Sequence, residues 1–322
     1  MAISDIKNPE VLSDLTSEKL ANSLVDAPWL FTSREFTIGS PGTSWEVPYN
    51  KLLDDLIMDG ESVTLVPQAL KQGTYKSVVQ RAARAWKSED IANMVATGDP
   101  TMELSTRMAE VAKKYMMLRM LDVLDGAVPS TNRNVAAGGA TDDTVRDTKF
   151  KLGDKANDLK YMLVNSNVYK QLEDGGYISW QAINNIIPIS GGSLYGFQVP
   201  VGAVAGGLVP TVAGLIIIVS DNISAISGTA TATKYPSYLL GQEAMGLYYQ
   251  KQVTVATQRE ELIGGGYDAI VERVNFVMTL HGVSYDQGSS PQLYDASSLR
   301  TQTNYTLKWD HKNVKAAIMV TD

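Results

Sequence analysis

The stretch that decides the fold is PTMELSTRMAEVAKKYMMLRMLDVLDG, running from Pro100 to Gly126. Within it Leu104, Met108, Val111, Tyr115, Leu118 and Leu121 recur at intervals of four and three, while Glu103, Arg107, Lys113 and Arg119 fall elsewhere. That periodicity predicts an amphipathic helix, and Pro100 starts it, because proline at the first helical position costs no hydrogen bond. At about 1.5 Å per residue its roughly 26 residues extend about 39 Å, far beyond an ordinary helix of about 12 residues. Such a helix acts as a spine.

Upstream, SEDIANMVATGDP reads as a short helix with Ser88 as N-cap and Gly98 and Pro100 as its stop. TYKSVVQRAARAW, from Thr74 to Trp86, fits a helical face through Val78, Val79, Ala82, Ala83 and Trp86, and also alternates as a strand does. Pattern alone leaves both open. Residues 36–86 as a whole read as an extended excursion, with a short strand at TSWEVP around Trp45. Residues 1–35 read as an arm, with Val11, Leu12, Leu15, Leu20 and Leu24 too interspersed with polar residues to form a core. Ordering such a segment alone costs about 1–2 kcal/mol per residue, so it is expected to lie on its own body or on a neighbouring copy.

Downstream, Pro129–Thr148 is rich in Gly, Ala, Asn, Thr and Asp and reads as a loop that ends the first unit. LKYMLVNSNVYKQLED then predicts a buried strand, Tyr161–Val164, and a helix capped at Asn165 or Ser166 and ended by Gly175. LIIIVSD at 215–221, with four β-branched residues from Ile216 to Val219, predicts a central strand buried on both faces. Two later stretches alternate as antiparallel strands with Gly264–Gly266 as their turn, a hairpin over Thr254–Tyr285. The tail, TNYTLKWDHKNVKAAIMV, predicts a final strand pair turning at Asp310–Asn313.

Composition narrows the function classes. There is no cysteine, so thiolate metal sites, disulfides and a cysteine nucleophile are excluded, and only His281 and His311 remain for histidine chemistry. The formal charge of −7 argues against a broad basic face for duplex nucleic acid. The first residues, MAISDIKNPEVLSDL, lack the basic and apolar regions of a secretory signal, so synthesis in the cytoplasm is expected. Gly175–Ser220 carries no charge, but Pro200, Pro210 and several glycines cut it into strand-length pieces, too short to span a membrane. No phosphate-binding loop, dinucleotide fingerprint or H-E-x-x-H motif is present, and Ser193 in SGGSLYG lacks the second glycine of a nucleophile elbow.

AARAWKSEDIANMVATGDPTMELSTRMAEVAKKYMMLRMLDVLDG, LKYMLVNSNVYKQLED, LIIIVSDNIS followed by YPSYLLGQEAMGL, and the tail occur in an order that resembles the Hong Kong 97-type capsid fold of tailed-phage major capsid proteins. The resemblance implies an α+β fold with an N-terminal arm (1–35), an extension loop (36–86), a peripheral domain (87–154, with the spine helix 100–126, and 250–322 with the C-terminal strands) and an axial domain (155–249). It resolves Tyr75–Trp86 in favour of a strand. It further implies self-assembly into hexamers and pentamers of an icosahedral virion shell around double-stranded DNA, without catalysis or cofactor. Expected partners are a scaffolding protein, a portal and decoration proteins, with no membrane; the arm is too short to carry a large scaffolding segment. Gly-containing stretches such as Val135–Thr141 and Gly191–Gly196 suit a subunit that adopts several angles. The rival readings are an encapsulin-type nanocompartment, told apart by its lack of packaged DNA, a phage tail tube, and a hydrolase working with carboxylates alone.

Glu260 and Glu261 point to opposite faces of a strand and cannot converge on one substrate. Arg259, Glu260 and Glu261 are instead expected, with Trp45 and Trp86, at contacts between subunits. His281 is expected in a strand and His311 in a turn, each structural and without a neighbouring carboxylate. Replacing Arg259 or Glu261 by alanine is expected to lower capsid yield and stability; unchanged yield discards the ion pair.

Overall fold

The computed structural model describes residues 16, 31–32, 44–50, 72–87, 100–182, 208–224, 226–227, 233–260, 267–286 and 295–322. The spine helix, α1, runs Pro100–Ala127. Its buried apolar positions are Leu104, Met108, Ala109, Ala112, Met116, Met120, Leu121, Val123, Leu124 and Ala127. Leu104, Met108 and Leu121 are buried as expected, but the middle of the stripe departs: Val111 is 38% exposed, and Tyr115 and Leu118 are only half-buried. The small and flexible residues Ala112, Met116 and Met120 fill the interior, where thioether chains adapt to irregular gaps. Apolar spacing alone does not rank Leu and Val above Met and Ala for that purpose.

The helix lies against a five-stranded sheet. Its strands are β1 (Phe31–Thr32), β2 (Ser44–Asn50) and β3 (Gln72–Lys87). A second group, β11 (Met245–Glu260) and β12 (Tyr267–Leu280), supplies the centre, in the order β1-β11-β12-β3-β2. The Tyr75–Trp86 ambiguity therefore ends as a strand. β11 and β12 form the long antiparallel hairpin, from Met245 opposite Leu280 to Glu260 opposite Tyr267. It begins earlier than the expected Thr254, and the glycines of its expected turn lie outside the described residues. Along β12, Ile270, Val274, Phe276, Met278 and Leu280 alternate onto the buried face.

A second sheet of eight strands contains β4 (Arg133–Val135), β5 (Leu159–Val164), β6 (Ser179–Ala182), β7 (Leu208–Val212), β8 (Leu215–Val219), β9 (Ile226–Ser227), β10 (Thr233–Gly241) and β15 (Ala316–Thr321). Its order is β4-β15-β10-β5-β8-β7-β6, with β9 paired to β10. Its two faces separate by strict alternation. Tyr161, Leu163, Ile216, Ile218, Tyr238, Leu240, Ala316 and Ile318 join the cluster around α1. Met162, Val164, Ile217, Leu239, Ala317 and Met319 join a second cluster with Val145, Val168 and Leu172 of helices α2 (Asp142–Lys149) and α3 (Ser166–Asp174). Both faces of β5 and β8 are thus covered, as the run of β-branched residues required. Asn165 caps α3 by accepting from the Asn167 N–H at 3.0 Å.

Three expectations fail here. The loop Pro129–Thr148 contains β4, paired in parallel with β15, and α2. Its polar composition hid a capping box, in which the Thr141 hydroxyl accepts from the Thr144 N–H at 3.2 Å and the Thr144 hydroxyl accepts from the Thr141 N–H at 2.9 Å. The tail forms no strand pair with itself: β14 (Tyr305–Leu307) pairs with β13 (Val283–Tyr285), and β15 crosses to β10. His281 occupies the turn between β12 and β13. The short helix at Ser88, Trp29, Gly191–Gly196 and most of the arm lie outside the described residues.

Gly126 marks where α1 meets helix α4 (Ala296–Arg300): a β-carbon there would sit 2.0 Å from the Leu299 carbonyl oxygen. Gly126→Ala is therefore expected to break that packing and lower the unfolding midpoint sharply. Met116→Ala is expected to cost about 2–5 kcal/mol. Val111→Ala should stay within about 0.5 kcal/mol, the reverse of what the sequence stripe implies. Chemical denaturation measures all three.

Candidate assembly surface

The excursion is a two-stranded ladder at its base, with Ser44 opposite Val78 and Asn50 opposite Gln72. Beyond Val78, β3 leaves β2 and continues along β12, from Val79 opposite Val277 to Lys87 opposite Ala269. One end of the excursion is therefore built into the body's own sheet. Tyr75, Val78 and Val79 are buried.

An aromatic knot ties the other end of the ladder, where Tyr49 stands opposite Gly73, to the body as well. Tyr49 lies 6.0 Å from Tyr75 and 6.2 Å from Trp309, ring centre to ring centre, and Tyr75 meets Trp309 edge-on at 6.4 Å. The Tyr75 hydroxyl is 2.9 Å from Nδ1 of His281, and the Lys76 N–H donates to the Ser284 hydroxyl at 3.0 Å. Gly282, at φ 84°, brings the β12–β13 turn onto the Trp309 ring, where a β-carbon would meet ring atoms at 2.6 Å. Burial pulls the His281 pKa down to about 4, with Lys315 adding to the effect, so the imidazole is neutral at pH 7. The ring is part of a packed joint. The exposed cross-strand pair Lys76–Glu46, at 3.2 Å, contributes little by comparison, about 0–1 kcal/mol.

A second joint ties α1 to the eight-stranded sheet. Asp122, fully buried, receives Nε of Arg300 at 2.6 Å and Nη1 of Arg119 at 3.0 Å. One helical turn on, Asp125 accepts from the Tyr238 hydroxyl of β10 at 2.6 Å. Arg133 donates from Nε to the Val128 carbonyl at 3.1 Å and from Nη2 to the Asp125 carbonyl. Burial pushes the Asp125 carboxyl up, opposed by the Tyr238 hydrogen bond and by Arg300. Arg300, Tyr238 and Arg133 reach the helix from three other elements, so the network constrains the angle between helix and sheet.

A third feature is an open groove of about 580 Å³ between α1 and the sheet, lined by Arg81, Ala82, Arg84, Val111, Lys114, Tyr115, Leu118 and Glu272 among others. Glu272 is 4% exposed and its Oε1 has no hydrogen-bond partner. Burial raises its pKa from 4.5 to about 7.

The expected contact residues divide. Trp86 is half-buried and packs against the main core. Trp45 stands in β2 opposite Ser77, and Arg259 and Glu260 stand in β11 opposite Asp268 and Tyr267. The side chains of Trp45, Arg259 and Glu260, and all of Glu261, lie outside the described residues, so the expected ion pair is neither made nor broken. His311 does have a carboxylate beside it, with Nδ1 3.0 Å from Asp310 Oδ1. The knot and the Asp122 network escaped the sequence reading because their members are far apart along the chain and carry no local pattern. Among the described residues no group of three or more His, Asp or Glu side chains is placed to hold a metal, and no helix is long and apolar enough to cross a membrane.

No family model matches the chain. A major capsid protein of Bacillus phage SPP1 is 23% identical over 287 residues, which are 85% of this chain and 82% of that protein. The head structure of Helicobacter pylori bacteriophage KHP40 aligns with a TM-score of 0.54 at 11% identity, over 90% of this chain and 86% of that one. An acidic stable capsid structure of Helicobacter pylori bacteriophage KHP30 gives 0.52 at 10% identity, over 90% and 86%. The sequence matches a phage major capsid protein, and the fold is that of phage capsid subunits, as the resemblance implied.

Asp122→Ala strands two guanidinium groups and is expected to cost about 3 kcal/mol, whereas Lys76→Ala should cost less than about 1 kcal/mol. For Glu272 the folded-state pKa lies above the unfolded one, so stability falls as pH rises from 4.5 to about 7 and then levels. Glu272→Gln should therefore be more stable than the parent at pH 8, by at most about 3 kcal/mol, with the gain shrinking toward pH 4.5. Denaturation at several pH values reads this directly.

Proposed function

We propose that this chain is the shell subunit of a tailed-phage head, assembling as hexamers and pentamers into an icosahedral container for double-stranded DNA. The observation that carries the reading is the β2–β3 ladder, a two-stranded ribbon of a kind that is marginal in water on its own and that the body here holds through β12 at Val79 and through the Tyr49–Tyr75–Trp309 knot at its other end. The stretch beyond it, KLLDDLIMDGESVTLVPQALK at 51–71, carries apolar residues that a neighbouring copy would cover. Support also comes from the relationship in sequence and fold to phage capsid proteins.

In this reading 1–35 is the arm and 36–86 the extension loop. Residues 87–154 with 250–322 form the peripheral part, and 155–249 the axial part that meets its copies around the symmetry axes. Repeating contacts of this kind are heterologous and close by rotation. Trp45, Trp86, Arg259, Glu260 and Glu261 are the proposed contact residues. A scaffolding protein, a portal and decoration proteins complete the head, which is built in the bacterial cytoplasm. DNA is held without sequence specificity, in keeping with the net charge of −7.

Expression with the neighbouring gene products, followed by electron microscopy and nuclease treatment of the purified particles, tests this. Closed icosahedral particles with nuclease-protected DNA are expected. Open tubes, or closed shells that package a protein and exclude DNA, contradict it.

A further inference from the structure

At one end of the eight-stranded sheet β4 covers β15. β15 reads AAIMVT, apolar but for its last residue, and Ala316, Ala317, Ile318 and Met319 are buried. An apolar strand of that length, left as a sheet edge, is a template for pairing with another chain. β4 is a thin cover for it. Its residues Arg133–Val135 pair in parallel with Ile318–Val320, and parallel pairing is the weaker kind. Val135 is 65% exposed, so burial of its side chain does little to hold the strand.

The flanking contacts supply the hold. Before β4, the buried Asn132 donates from Nδ2 to the Ala316 carbonyl at 3.1 Å and to the His311 carbonyl at 2.9 Å. After β4 the chain continues along β15. The Ala136 N–H donates to the Val320 carbonyl at 2.9 Å, and the Asp322 N–H donates to the Gly138 carbonyl at 3.0 Å. Oδ2 of Asp322 accepts from the Gly138 N–H at 3.0 Å, and Nζ of Lys234 in β10 stands 3.6 Å from Oδ1. Gln171 of α3 then grips both segments. Its Nε2 donates to the Asp322 carbonyl at 2.8 Å, and its Oε1 accepts from the Ala140 N–H at 2.9 Å. Two side chains far apart in sequence thus hold the loop AAGGA, 136–140, whose own residues offer no side-chain hydrogen bond.

We propose that Gln171 and Asp322 form a strap that keeps β4 on β15 and so shuts this edge of the sheet against strand addition. The Gly-containing stretch Val135–Thr141 is, in this account, the strapped segment and not a free hinge. With the strap undone, the three paired residues of β4 have too little to keep them in place, and the apolar edge of β15 opens. Addition at an open edge is heterologous and need not close, so it competes with ordered assembly of any kind. The proposal therefore stands apart from the shell reading.

Amide exchange and sedimentation of the full chain test it, comparing the parent with Gln171→Met, Asp322→Ala and, as a control on an exposed position of the same helix, Lys170→Ala. The first two are expected to speed exchange across 136–141 about tenfold. Val168–Leu172 of α3 should keep the parent's rates, the sign that the fold is intact. Both variants should also sediment as open, irregular associates in which 316–321 stays protected although 133–141 exchanges freely. Lys170→Ala should match the parent throughout. Unchanged exchange at 136–141 overturns the strap. Faster exchange with the parent's sedimentation overturns its guarding role. A parent that forms no closed particle overturns the shell reading alone, since the comparison of variants with parent still decides the strap.

Discussion

The spine helix is the part on which the rest of the architecture depends, because it is a single rigid element shared by two sheets. At 28 residues and about 1.5 Å each, it is about 42 Å long, enough to run past one sheet and onto the next. Tyr115 packs edge-on against Phe276 of the five-stranded sheet at 6.2 Å. Nearly three turns later Asp125 holds Tyr238 of the eight-stranded sheet. One continuous core runs beneath both contacts. A charge network at its C-terminal end adds direction to that burial, since apolar contact alone does not set an angle.

Around this link the chain arranges two kinds of surface. The eight-stranded sheet is covered on both faces and complete in its centre. The β2–β3 ladder is different in kind. β12 holds it at Val79, three aromatic rings, a neutral histidine and a glycine turn hold it near Tyr49, and its outward positions Gln72, Thr74 and Lys76 face solvent.

What was legible in the sequence follows the physics of local patterns. The spine helix, the Asn165 cap and the doubly buried strand Leu215–Val219 are each specified within a short window by periodicity, a capping side chain or β-branched density. The middle of the spine was misread, since Met116 and Met120 pack deeper than Val111 for reasons of fit with partners far away in sequence. The tail misled for a similar reason: β14 and β15 alternate well, but their partners are Val283–Tyr285 and Thr233–Gly241, not each other. The aromatic knot and the Asp122 network had no sequence signal, being built from residues that only the tertiary fold brings together. Order along the chain carried the family likeness, and contact chemistry required coordinates.

The central claim of the shell reading is that the ladder is held by its own body and that the loop 51–71 beyond it is covered by sister copies. Hydrogen–deuterium exchange on unassembled subunits and on assembled particles measures this segment by segment. The account predicts that amides of Ser44–Asn50 and Gln72–Lys87 that bond across the ladders are protected in both forms, while those of the loop 51–71 become protected only in particles. Equal and strong protection of the whole excursion in the isolated subunit would contradict it.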